Sequence, residues 1–69
     1  MNVYIVMAYN AENENDFWTV GRSGFKKDAT EVAKRYASKN KCFCNVECHK
    51  VARFSNEPEG GEVIFTTKE

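Results

Sequence analysis

Ala29–Phe43, ATEVAKRYASKNKCF, has the pattern of a helix that runs directly into a strand. Ala29, Val32, Ala33, Tyr36 and Ala37 fall at i, i+3, i+4, i+7 and i+8, the spacing of one helical face. Lys34, Arg35, Ser38 and Lys39 take the other face. Asp28 followed by Glu31 has the form of a capping box, so a helix is expected from about Ala29 to Asn40 with Asp28 as its N-cap. Lys39, Asn40 and Lys41 suit the negative end of the helix dipole, and Asn40 can stop the helix in the left-handed conformation. Cys42 and Phe43 then open a strand. A short basic helix therefore lays an alanine-rich face on a sheet and hands directly into the next strand.

Outward from this helix the pattern is that of strands. Val3–Tyr9 is apolar on both faces and suits an interior strand. Asn10–Asp16 is polar and turn-rich, a hairpin loop. Phe17–Arg22 reads as the second strand, with Trp18 and Val20 on one face. Gly21 and Gly24 mark positions for a bulge or reversal, and Phe25 is expected to close the end of the core. Cys42–Phe54 reads as a strand with a bulge near Lys50, Ser55–Gly61 as a loop, and Glu62–Thr67 as a last strand rich in β-branched residues. The expected fold class is α+β: one domain over residues 1–69, a single helix packed on an antiparallel sheet of about four strands, in the order β-β-α-β-β. A chain of this length hides only about 60% of its unfolded surface, so the core is small.

A composition of 42% hydrophobic and 13% aromatic residues argues against disorder. No apolar run is long enough for a membrane span, and the opening MNVYIVMAYN lacks the basic n-region and cleavage site of a signal peptide. Net charge is zero, but its distribution is uneven. Glu12, Glu14 and Asp16 make residues 10–16 acidic, and Glu57, Glu59 and Glu62 do the same for residues 57–62. Between them Lys26, Lys27, Lys34, Arg35, Lys39 and Lys41 outnumber Asp28 and Glu31. The helix surface is either ordinary solvated charge or a contact surface for DNA, RNA or an acidic protein.

Cys42, Cys44, Cys48 and His49 crowd together in sequence, but alternation along a strand puts the three thiols and Val46 on one face. Phe43, Asn45, Glu47 and His49 take the other. That separation disfavours both a zinc site and a Cys–His nucleophile, and the thiols are expected as small core hydrophobes. An odd cysteine count with poor i, i+2 geometry argues against disulfides and for a reducing cytoplasm. With no P-loop, no GxSxG and no dinucleotide fingerprint, neither an enzyme, a cofactor nor a metal is expected. The acidic clusters lack the EF-hand pattern. Tyr4, Phe17, Phe43 and Phe65 could share a base-stacking sheet face, although the RNP pattern is absent.

The segment Ala33–Phe43, AKRYASKNKCF, resembles the AKR-x-ASK-x-x-CF segment of the small phage-encoded type I-F anti-CRISPR proteins. The outline from Met1 to about Val51 is similar too: a Tyr-Ile strand, a polar hairpin, a second strand, then this helix. The resemblance implies a non-enzymatic inhibitor that binds backbone subunits of a CRISPR RNA-guided surveillance complex in the host cytoplasm. Such an inhibitor obstructs hybridisation with target DNA. By the same resemblance Lys34, Arg35 and Lys39 attract double-stranded DNA non-specifically, and Lys41 and Phe43 contact the protein partner. Lys41 stands where the family has an uncharged amide. The other readings are a small phage nucleic-acid-binding or host-regulatory protein without a CRISPR target, and a redox or zinc module built on Cys42, Cys44 and Cys48.

Overall fold

A computed structural model of the chain describes residues 2–51 and 58–68. Its elements are β1 (Asn2–Asn10), β2 (Phe17–Ser23), α1 (Lys26–Lys39), β3 (Cys42–Val51) and β4 (Pro58–Thr66). The strands form one antiparallel sheet in the order β2-β1-β3-β4. This is the α+β arrangement that the alternating patterns around the helix call for. β1, apolar on both sides, takes an interior place, flanked by β2 and β3. β2 and β3 both run antiparallel to β1, hence parallel to each other, and α1 carries the chain across β1 from one to the other. No helix among the described residues is long and apolar enough to cross a membrane.

The β1–β2 hairpin is closed by its own asparagines. Asn10 N–H donates to the Asp16 carbonyl at 2.9 Å, while Asn10 Oδ1 and Asn13 Oδ1 accept from the N–H groups of Glu12 and Asn15. Further along, Val6 lies opposite Gly21 and Met7 opposite Thr19, so Val20 is an extra residue in β2. A bulge therefore sits next to Gly21, where the sequence makes one easy. β3 and β4 slip register between Val46 and Glu47 and again between Cys48 and Lys50, the second at the expected place.

The core lies between α1 and one face of the sheet. Ala29 and Ala33 of α1 are buried against Val6 and Ala8 of β1 and Cys44 and Val46 of β3. All six side chains are small, which lets the helix approach the strands closely. Tyr4, Val20, Tyr36, Ile64 and Phe65 wall the core in. Trp18 and Val20 share this face as expected. The Trp18 indole N–H donates to the Tyr36 hydroxyl at 3.0 Å, pinning edge strand β2 to the helix.

Several boundaries differ from the sequence reading. The helix begins at Lys26, with Phe25 as its N-cap residue and no side-chain cap. Asp28 is thus inside the first turn, where its charge still favours the helix dipole, but the Asp28–Glu31 capping box does not form. Ser23 Oγ turns the chain instead, accepting the Phe25 N–H at 3.1 Å. Phe25 is 70% exposed and closes nothing. At the other end Asn40 is extended (φ −129°, ψ 154°) and not left-handed; its N–H and its Nδ2 both donate to the Tyr36 carbonyl. β4 starts at Pro58 and not at Glu62, because an edge strand tolerates a proline and glycines that an interior one does not. The rest of the expected loop, residues 55–57, and the expected end of the third strand, residues 52–54, lie outside the described residues.

Candidate functional site

The two sheet faces separate the chemistry-bearing residues of β3. Cys44 is fully buried under α1 and Cys42 packs at the edge of the same core, with Cys48 opposite Tyr4 in register. All three thiols are free. Burial, with Cys42 beside it, pushes the Cys44 thiol up to about 11, so it stays protonated and unreactive at neutral pH. His49 is on the opposite face, where its Nε2–H donates to Glu47 Oε1 at 3.0 Å. Its ring lies directly over Gly61, in space that a Cβ at that position would occupy. Among the described residues, no three His, Cys, Asp or Glu side chains converge as a metal site would require.

On the face away from the helix, three rings form a row across three strands. Phe43 of β3 lies opposite Tyr9 of β1, which lies opposite Phe17 of β2. Phe43 stacks on Tyr9 with centroids 5.1 Å apart and planes 9° apart; Tyr9 tilts against Phe17 at 5.6 Å. Phe17 ends the row 56% exposed. The chain end joins this surface because Thr67 docks on β3: Cys44 N–H donates to Thr67 Oγ1 and Thr67 N–H to the Cys44 carbonyl, both at 2.9 Å. That brings Lys68 Nζ to 5.0 Å from the Phe43 ring centroid, where it also bonds Glu14 Oε1 of the hairpin loop at 2.6 Å. Lys41 is exposed beside the same loop, its carbonyl accepting the Ala11 N–H. Lys41 and Phe43 thus lie at one end of the sheet with Phe17 and Tyr9. That end combines exposed aromatic surface, cations and the acidic loop.

Sequence alternation foresaw Phe43 and Phe17 here but grouped them with Tyr4 and Phe65. Those two wall the core on the helix side. The partner that reading missed, Tyr9, was legible: a hairpin closed between Asn10 and Asp16 must set Tyr9 opposite Phe17. Lys68 left no such signal.

The helix cations do not make one patch. Lys34 reaches over the Phe65 ring of β4, 5.7 Å from its centroid. Arg35 and Lys39 line a shallow groove with Val32, Tyr36 and Asn40, and Tyr36 bonds Trp18 of β2. β2 and β4 are opposite edges of the sheet, so Lys34 and the Arg35–Lys39 pair occupy opposite flanks of the helix.

No protein-family model, curated protein or solved structure matches this chain.

Proposed function

We propose that this chain is a non-enzymatic inhibitor, phage-encoded, that binds a host CRISPR RNA-guided surveillance complex through its backbone subunits and blocks hybridisation with target DNA. One observation supports this reading above the others: the Phe43–Tyr9–Phe17 row on the helix-free face, with Phe17 exposed and Lys41 beside it. Aromatic rings surrounded by a polar rim are the anatomy of a protein-binding hot spot. The acidic loop carrying Glu12, Glu14 and Asp16 borders the same end and suits the lysines that line a guide-RNA channel. In this reading Lys34, Arg35 and Lys39 attract duplex DNA by charge alone, which makes that contact weak, sequence-independent and salt-sensitive.

The test is co-purification of assembled type I surveillance complex on the immobilised chain, followed by target-DNA binding by whatever is retained. Retention with loss of hybridisation supports the inhibitor. Capture of DNA alone, without the complex, replaces it with the nucleic-acid-binding reading. Charge reversal at Lys34, Arg35 and Lys39 removes DNA recruitment if the helix carries it; unchanged recruitment refutes that assignment.

A further inference from the structure

Val32 belongs to the apolar stripe by spacing, yet it is 42% exposed. It forms part of a groove of about 220 Å³ along α1. The lining residues Val32, Arg35, Tyr36 and Lys39 fall at i, i+3, i+4 and i+7, a continuous strip of the helix surface, and the C-cap residue Asn40 closes its end. The strip holds two cations and no carboxylate. Among the described residues neither Arg35 nor Lys39 is in a salt bridge. At the back of the strip the Tyr36 hydroxyl accepts a hydrogen bond from the Trp18 indole N–H at 3.0 Å.

We propose that this groove docks an acidic protein segment that carries an apolar anchor residue. The anchor sits on Val32 and Tyr36, and flanking carboxylates meet Arg35 and Lys39. A groove of this size accepts one or two aliphatic side chains. Charge complementarity selects an acidic segment over a neutral or basic one. Phosphate attraction gives Val32 nothing to do, since a valine side chain offers phosphate no hydrogen bond and no charge. The proposal does not use the aromatic face, and it gives Arg35 and Lys39 a protein ligand where the surveillance-complex reading gives them DNA.

The test is selection of a displayed random-peptide library on the folded chain, with the Val32→Ser and Lys39→Glu variants as counter-targets. Val32 and Lys39 are exposed, so both variants keep the fold, which circular dichroism verifies. The expected winners are acidic peptides with a leucine, isoleucine or phenylalanine. Each loses about tenfold or more in affinity on either variant, and its amide shift changes map to α1 around Val32–Asn40. Enrichment of neutral or basic peptides overturns the proposal. So does equal binding to Val32→Ser, or a library that yields no binder. Labelled duplex DNA is run in parallel; if its binding falls with Val32→Ser as far as with Lys39→Glu, the groove serves nucleic acid and the proposal is overturned.

Discussion

Phe43 stacks face to face on Tyr9, with ring centroids 5.1 Å apart and planes 9° apart, on the side of the sheet that the helix leaves open. The contact joins β3 to β1 at the end where the helix hands into β3, so it couples the stability of that junction to the surface it presents. Phe43→Leu keeps the apolar volume and removes the stacking. It is expected to cost about 1 kcal/mol in urea denaturation. Phe17→Ser, at the exposed end of the row, is expected to cost less than Phe43→Leu. A larger loss for Phe17→Ser would mean that the row is a structural core and not a presented surface.

Trp18 and Tyr36 form the one described side-chain hydrogen bond between β2 and α1. Trp18→Phe and Tyr36→Phe each remove it while keeping a ring in place. Each single change is expected to cost about 1 kcal/mol, and the double variant little more than either alone. Strict additivity in this double-mutant cycle would show that the bond contributes nothing.

The Cys44 thiol ionises near 9.0 in an exposed setting and at about 11 in the fold. Its folded value is raised, so its contribution to stability is fully present below pH 9 and is lost as pH climbs toward 11, where the unfolded chain ionises first. Cys44→Ala is expected to flatten the stability profile in that window and in no other. Alkylation at neutral pH should also spare Cys44 in the folded chain, which mass mapping checks against the denatured chain.

Gly61 carries the His49 ring, and a Cβ there would fall within 2.7 Å of Nε2. Gly61→Ala is expected to destabilise by about 1–3 kcal/mol, because the ring must leave Glu47 or β4 must move. His49→Ala in the same chain should recover most of that loss by vacating the space. Failure of the second substitution to rescue the first would show that the His49 ring does not set the cost.

The fold was legible from sequence wherever burial on one face enforced a pattern. The even positions of β1 and β3 face the helix and the odd positions do not, and alternation alone separated the thiols from His49. What escaped were positions that burial does not govern. Lys26 and Lys27 are exposed, so the first helical turn carries no apolar signal, and Asp28 drew the boundary three residues late. Val32 fits the helical period but lies at the margin of the buried stripe. Pro58 and the glycines after it look like a loop, and only the edge position of β4 lets them extend a strand. The surface chemistry was half legible: Phe43 and Phe17 were in view, but Lys68 reaches Phe43 through the docking of Thr67 on β3, a tertiary event with no local signature.

In the proposed function the aromatic end of the open sheet face holds a surveillance complex away from its target. The most direct test is target-DNA hybridisation by purified type I surveillance complex, titrated with the wild-type chain, Phe17→Ser and Lys41→Glu. The wild-type chain is expected to block hybridisation, and each variant to need about tenfold more protein for the same block while remaining folded. Undiminished hybridisation at saturating wild-type chain, or equal block by all three proteins, would contradict it.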